Sequence, residues 1–372
     1  MSTDLLHQKL TAQLDKRKKE GLYRSLKKDA ELIDFCSNDY LGLSCNQELQ
    51  ERIHKRSSSV PANLGATGSR LLTGNSNQTE RLEEILVEIH QTEAALLCTS
   101  GYSANLSIFS AIPQKGDTII YDELIHVCIK DGARLSFAER KSFKHNDIAD
   151  LERKLSKSEG NVFVAVESIY SMDGDMAPLQ ELARLCKKYS AYLIVDEAHS
   201  TGLWGSKGSG LCTELGIVDD VFARIHTFGK AIGSHGACIV GSKVLKEYLI
   251  NYARPFIFTT ASSDHNLITV EEAFHYLGEN PSLWKRLQSN IKLYRSLIQK
   301  ESIHSLSAIQ AVMITGNKEA KKAALHIQKK GFDVRPILSP TVKKGTERIR
   351  ICLHAYNTEQ EIIELVNLIN EV

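Results

Sequence analysis

The chain has 372 residues, with 46 Lys and Arg against 45 Asp and Glu, a formal net charge of +1 and 24% charged residues. So even a balance gives no sign of a nucleic-acid or membrane surface, and the length supplies a large core, as two domains or as one large domain with a smaller one appended. The eight cysteines are scattered without a C-x-x-C pair, which argues against zinc, and most lie in apolar runs, so a reducing cytoplasm is the simplest compartment.

Residues 1–20 are polar, with Leu5, Leu6, Leu10 and Leu14 at near-helical spacing. They lack the apolar core of a signal peptide, and no run approaches the ~20 apolar residues that cross a bilayer. The spacing predicts a helix closed near Glu20-Gly21 by a glycine cap. Arg24 follows, with an exposed helix-end position as its plainest reading. A hairpin-like stretch over 32–36 leads to Ser37-Asn38-Asp39-Tyr40-Leu41-Gly42-Leu43, where Asn38 suits a turn. The glycine-rich Gly65-Ala66-Thr67-Gly68-Ser69-Arg70 lacks the spacing of a phosphate loop.

Residues 79–89 read as an amphipathic helix, 94–98 as a strand and 104–111 as a helix. The turn between the last two, Thr99-Ser100-Gly101-Tyr102, aims backbone N–H groups and a positive dipole end at an anion, although any strand-to-helix turn needs small residues. A strand over 117–122 precedes His126, which opens a helix running through 131–132. Residues 143–147 serve as a strand end and an N-cap. The segment 162–167 is a continuous apolar strand, as in a parallel sheet, and leads into Ser168-Ile169-Tyr170-Ser171-Met172-Asp173-Gly174-Asp175. There Asp173 and Asp175 flank a glycine as turn residues rather than metal ligands.

A helix opened by Pro178 runs to Tyr189, and the strand over 192–195 ends in Asp196. A noisier strand over 221–228 delivers Lys230 between Gly229 and Gly233, and a strand over 233–240 follows. Ligands of an open α/β sheet bind at the carboxyl edge of its strands. Taken singly, Asp196 reads equally well as a helix cap and Lys230 as a solvated loop lysine. Paired, they suit one chemistry: the amine condenses with a cofactor aldehyde while the acid keeps a pyridine nitrogen protonated, which makes the ring an electron sink. One or two long helices span 264–300, followed by a strand (308–314), a helix (320–330), a strand (349–353) and a helix (359–370). Arg348 and Arg350 stand on one strand, and an arginine there can face a pocket and grip a carboxylate with its guanidinium fork.

The run Asp196-Glu197-Ala198-His199-Ser200-Thr201-Gly202, followed by Thr227-Phe228-Gly229-Lys230, resembles the pyridoxal-phosphate (PLP) enzymes of the α-oxoamine synthase family, and the likeness extends over nearly the whole chain. The resemblance implies an α/β protein of PLP-dependent transferase fold type I, with a large domain built on a mainly parallel sheet between helices and a smaller α+β C-terminal domain. Its parts are expected at 1–45 (N-terminal helix and extended segment), 46–260 (large PLP-binding domain) and 261–372 (bridging helices and small domain).

The same resemblance implies catalytic roles for Lys230, His126, Asp196 and His199. Lys230 takes the aldehyde and later acts as base, Asp196 pairs with the ring nitrogen, and His126 stacks on the ring. His199 bonds the phenolic oxygen or orients the acid. Ser100, Gly101, Tyr102 and Thr227 are the expected phosphate contacts, and Ser171 lies near the ring oxygen or in the cofactor's immediate surroundings. Thr260 is expected to reach across a homodimer interface to the other subunit's phosphate. Arg24, Asn38, His126, Thr341 and Arg350 are the expected substrate contacts, and no metal is expected.

The implied reaction is the decarboxylative condensation of an amino acid with an acyl thioester, releasing carbon dioxide and a thiol. Ser307-Ala308-Ile309-Gln310 and Pro340-Thr341-Val342 look most like the branch that joins L-alanine to a pimeloyl thioester of CoA or acyl carrier protein, giving 8-amino-7-oxononanoate for biotin. Glycine with acetyl-CoA and serine with a long-chain acyl thioester are the alternatives. A non-catalytic subunit of this fold is the alternative of a different class, although such subunits commonly lose the lysine. Three departures stand out: Leu338 replaces a frequent arginine (with Arg335 close by), Lys343 replaces a proline, and Thr79 replaces a histidine ahead of Leu82-Glu83. They bear on acyl-chain specificity and local hydrogen bonding rather than on cofactor chemistry.

Overall fold

The apolar runs around Val164, Ile194 and Ile239 become inner strands of a single sheet. The computed structural model describes residues 2–26, 31–60, 63 and 65–372, in two compact units divided between Ile33 and Asp34. In the first unit a helix spans Ser2–Lys19, and Gly21 follows in the left-handed conformation (φ 66°), where a glycine ends a helix without steric cost. Leu5, Leu6, Leu10 and Leu14 are exposed on this helix. Its last turn is tied by the Lys18 ammonium, 3.0 Å from Asp15 and 5.4 Å from the centre of the Tyr23 ring.

The strands, in chain order, are β1 (Ile33–Asp34), β2 (Ala94–Cys98), β3 (Thr118–Asp122), β4 (Glu139–Phe143), β5 (Val162–Glu167), β6 (Tyr192–Asp196), β7 (Ala223–Thr227), β8 (Ala237–Gly241), β9 (Ile309–Met313), β10 (Phe332–Asp333), β11 (Arg335–Ile337) and β12 (Arg348–Cys352). Seven of them form the large sheet, in the order β2-β8-β7-β6-β5-β3-β4. Only β8 runs against the rest, because it pairs antiparallel with both β7 and β2. The carboxyl ends of β2, β3, β5, β6 and β7 therefore share one edge.

Both faces of this sheet are covered, which is why its inner strands are buried along nearly their whole length rather than in alternation, Arg224 and His226 of β7 included. Ala165, Ile194 and Ile225 pack with Ile108, Phe109 and Ile129 on one face. Val164, Val166 and Val195 pack with Leu151, Leu182 and Cys186 on the other. Burial of each large side chain stabilises the fold by about 1.5–3 kcal/mol before entropy is subtracted. Several helices start on side-chain caps: Asp147 accepts from the Asp150 N–H, and Ser100 and Ser103 form a reciprocal capping box.

Two helices, Asp264–Glu279 and Ser282–Leu297, lead into a three-stranded antiparallel sheet of order β11-β12-β9. The helices Asn317–Lys329 and Glu359–Glu371 complete this part. The stretch over 32–36 is no local hairpin. Phe35 donates its N–H to the Asp333 carbonyl at 3.1 Å and accepts from the Cys352 N–H at 2.8 Å, so its partners lie some three hundred residues away in the chain. The helix Gln47–Ser59 was not anticipated; it starts on Asn46, whose side chain accepts from the Leu49 N–H. Thr79 stays within local bonding, 3.1 Å from the Ser76 hydroxyl.

The loop after β5 is fastened at both ends. His145 Nε2 lies 2.7 Å from Asp175 and its Nδ1 3.0 Å from Asp122, while Asp173 pairs with Arg348 of β12. Gly174, at φ 76°, leaves no room for a Cβ, which would stand 2.1 Å from the Ile309 carbonyl oxygen. Burial works against charge on the His145 imidazole, yet its bonds to Asp122 and Asp175 lift the pKa to about 9. A raised folded-state pKa adds stability that is fully present below the ordinary value near 6.5 and is lost as pH rises through about 9. His145→Gln is expected to remove up to about 3 kcal/mol at pH 6 and almost nothing above pH 10. Urea unfolding of both proteins across that range checks this, and a pH-independent difference contradicts it.

Candidate active site

The shared carboxyl edge gathers four strand ends with polar groups on them. The turn after β2 carries Ser100, Gly101 and Tyr102, whose helix Gly101–Ala111 begins with N–H groups that have no partner within the helix. Glu167 ends β5 and Asp196 ends β6, and the two are register partners on adjacent strands. Thr227 ends β7, and Lys230 follows three residues later.

These groups line one cavity of about 220 Å³. Of the residues expected from sequence, Ser100, Gly101, Tyr102 and Thr227 stand on its phosphate side. His126, Asp196, His199 and Lys230 line the remainder. Asp196 is 5% exposed, and its carboxylate is held from two sides: Asn105 donates at 2.7 Å to one oxygen and the Ala198 N–H at 2.9 Å to the other. His126 caps the helix Val127–Leu135 through Nδ1, which accepts from the Cys128 N–H at 3.3 Å and lies 2.9 Å from the Cys128 sulfur. His199 places Nδ1 2.7 Å from the Tyr40 hydroxyl.

Burial governs the proton affinities here. It holds the Lys230 amine below its usual range, against the pull of Asp196 and Glu167. Burial, together with Lys230 and Arg350, holds the His199 imidazole well below its usual range, so that it stays neutral. His126 is lowered by burial and Lys230 and supported by Asp196. Glu167 is pushed up to about 8 by burial and by Asp196, although its carboxylate accepts from the His126 N–H at 2.7 Å.

Beside the cavity, Arg350 spreads its guanidinium between the Ser171 carbonyl (Nε, 2.7 Å), Asn38 Oδ1 (Nη2, 2.9 Å) and the Cys352 sulfur (Nη1, 2.9 Å). Asn38 and Arg350 thus meet although 312 positions separate them in the chain. Ser171 makes this contact through its backbone. Arg348, two residues earlier on the same face of β12, turns instead to Asp173, so both arginines meet the loop after β5. Thr260 lies outside this cavity, in a smaller pocket with Arg70, Thr79 and Ser103. Thr341 is exposed on the turn after Leu338, and Arg335 is engaged with Asp333 at 2.8 Å. Arg24 is an exposed residue of the first unit. Cavity-lining groups that the sequence reading passed over include Glu167, Asn105 and Cys128. Glu167 carries the same mark as Asp196, an acid closing an apolar strand.

The model of the aminotransferase class I and II family matches residues 30–369. This chain belongs to that family. It is 38% identical over 363 residues to an 8-amino-7-oxononanoate synthase of Emericella nidulans, covering 91% of this chain and 88% of that protein. A solved 8-amino-7-oxononanoate synthase from Francisella tularensis is 28% identical with a TM-score of 0.80, over 92% of this chain and 98% of that one. A serine palmitoyltransferase from S. paucimobilis, solved with bound PLP and myriocin, is 26% identical with a TM-score of 0.88, over 97% and 96% of the two chains. The chain is a PLP enzyme of fold type I.

Its residues fit that cofactor. A helix N-terminus free to take a phosphate, an acid fixed by two donors and a buried amine are arranged around one cavity. Space is kept at Gly229, where an added Cβ would have only the Ser234 carbonyl oxygen within 4 Å, at 3.7 Å. Asn105→Ala strips one oxygen of buried Asp196 of its donor, a loss of about 1–3 kcal/mol, and is expected to weaken PLP retention roughly ten- to hundredfold. Equilibrium dialysis against PLP measures this, and unchanged retention contradicts it.

Proposed function

We propose that this acyltransferase condenses L-alanine with a pimeloyl thioester of CoA or acyl carrier protein, yielding 8-amino-7-oxononanoate, carbon dioxide and thiol for biotin biosynthesis. The observation that carries the reading is the Arg350–Asn38 pair, a carboxylate-binding fork joined through Tyr40 and His199 to the wall of the Lys230 cavity. The identity to 8-amino-7-oxononanoate synthases supports the choice of substrates.

Bound PLP supplies the electron sink for charge developing at the amino-acid Cα. The chain does the rest. Asp196, fastened by Asn105 and the Ala198 N–H, offers a carboxylate to the ring nitrogen. Lys230 would hold the cofactor and take the Cα proton of the amino acid; its lowered proton affinity favours the neutral amine this requires. Arg350 and Asn38 hold the substrate carboxylate so that the bonds at Cα take a fixed orientation, an entropic advantage worth several kcal/mol in well-aligned cases. His126 and His199, both neutral, cover and bond the cofactor ring. Ser100, Gly101, Tyr102 and Thr227 take the phosphate, with Thr260 of a second subunit completing a homodimeric site. Ser171, Thr341 and Arg24 are assigned to the surroundings of cofactor and acyl chain. No helix among the described residues is long and apolar enough to cross a membrane, and cytoplasmic residence is part of the proposal.

A second reading, serine with a long-chain acyl thioester, draws support from the TM-score of 0.88 to serine palmitoyltransferase. A panel of alanine, glycine and serine against pimeloyl, acetyl and palmitoyl thioesters separates the readings by product. Alanine with pimeloyl thioester is expected to turn over fastest, and silence with alanine overturns the first choice. Lys230→Ala is expected to lose the visible absorbance of bound PLP and at least about a thousandfold in turnover. Retention of both overturns the assignment of Lys230.

A further inference from the structure

We infer that His354 is a positioning residue, held as an imidazolium cation, that fastens the segment carrying Asn38 against the end of the strand carrying Arg350. The side chain is fully buried, and each of its ring nitrogens meets an oxygen that can only accept. Nδ1 lies 3.1 Å from Asn357 Oδ1. The orientation of that amide is fixed by its other partners: its oxygen takes the His354 backbone N–H at 2.9 Å, and its nitrogen donates to the Asp34 carbonyl at 3.1 Å. Flipping it would set N–H against N–H and oxygen against oxygen. Nε2 lies 3.1 Å from the Ser37 carbonyl oxygen and 3.3 Å from the Ser37 hydroxyl. A hydroxyl donating to a bare Nε2 would leave the nearer carbonyl oxygen facing the same lone pair. A neutral imidazole has one proton, so either tautomer sets a lone pair against an acceptor where water is not at hand. Two protons satisfy both contacts.

The surroundings suit a cation. Asp34 Oδ2 is 3.9 Å from Nε2, the one ion pair His354 makes among the described residues. Tyr356 lies flat on the imidazole, with ring centres 4.7 Å apart and planes 11° from parallel, and donates its hydroxyl to Asp34 at 2.9 Å. The helix Ser282–Leu297 faces this place with the neutral amide of Asn290, which donates to the His354 and Asn357 carbonyls. Asp39, further along the segment, is taken by the Ser44 N–H and hydroxyl. Burial pushes the Asp34 carboxyl up, but His354 and the N–H groups of Ser37 and Cys36 bring it down to about 2, so this partner keeps its charge.

Three bonds tie residues 35–40 to residues 352–355. The Cys352 N–H reaches the Phe35 carbonyl at 2.8 Å, His354 Nε2 the Ser37 carbonyl at 3.1 Å, and the Ala355 N–H the Tyr40 carbonyl at 2.8 Å. The middle tie stands next to Asn38, whose Oδ1 is 2.9 Å from Arg350 Nη2. Without it Asn38 lies between two backbone anchors, at Phe35 and Tyr40, and its amide loses its fixed distance to Arg350.

The inference rests on the reading of Arg350 and Asn38 as the amino-acid carboxylate site only in its kinetic arm. Neutron diffraction from deuterium-exchanged crystals of the holoenzyme at neutral pH is expected to show deuterons on both ring nitrogens of His354. A bare nitrogen there overturns the proposal, whichever substrate is right and whether or not any variant folds. In His354→Gln, which keeps a donor and loses the charge, KM for the amino acid is expected to rise about two- to tenfold, the loss of one hydrogen bond. That amino acid is alanine, glycine or serine, whichever turns over. The visible absorbance of bound PLP and kcat at saturating substrates are expected to stay as they are in the unmodified enzyme. An unchanged KM overturns the positioning role, and so does a fall in kcat with KM untouched. Asn38→Ala tells the two failures apart: an unchanged KM in that variant sinks the carboxylate-site reading, while the deuterons still decide the state of His354.

Discussion

Everything at this site depends on one constraint: an amine, two carboxylates and two imidazoles must share a dry edge of a parallel sheet. None of these groups is affordable there alone, since an unpaired buried charge costs several kcal/mol. The fold meets the constraint with local donors. Asp196 is fixed by Asn105 and the Ala198 N–H, Glu167 takes the His126 N–H, and Lys230 feels both acids. The two histidines stay neutral and add no charge. The result is a cavity whose proton affinities are displaced in the directions that amine and acid–base chemistry needs.

The same logic explains why the C-terminal sheet lies where it does. Arg350 reaches the site from β12, and its guanidinium is satisfied by a backbone carbonyl, an amide oxygen and a thiol sulfur rather than by an acid. An arginine with no carboxylate partner remains ready for one from a substrate. Its neighbour Arg348, two residues back on the same face, is neutralised by Asp173 and serves the fold. The two line one face of a single strand, one fastening the loop after β5 and the other also reaching Asn38 beside the site. His145 fastens the same loop from the large sheet, so the Ser171 carbonyl that holds Arg350 is itself positioned by buried ionic contacts.

Much of this was written in the linear pattern. Short apolar runs read as strands covered on both faces, and the acids and lysine at strand ends marked the edge that binds ligands. The heptapeptide around Asp196 and His199 and the tetrapeptide ending in Lys230 sufficed to place the chain among PLP enzymes. The reading was uneven, however. Glu167 closes its strand as Asp196 closes the next, yet only the latter was singled out. Asn105, an amide in an otherwise apolar helical turn, also passed unnoticed, although an isolated amide on a buried face must have a partner.

The sequence by itself determined many of the element types, the carboxyl-edge location and the cofactor, because periodicity, strand-end residues and short motifs are local properties. Only the tertiary structure decided which distant groups meet. Phe35 finds β12 instead of a neighbouring hairpin strand, Asn38 meets Arg350, and Tyr40 stands between Asn38 and His199. Such contacts span up to three hundred residues of chain and are set by how two sheets pack. Their hydrogen-bond directions follow from distances and donor counts that exist only once the chain has closed on itself.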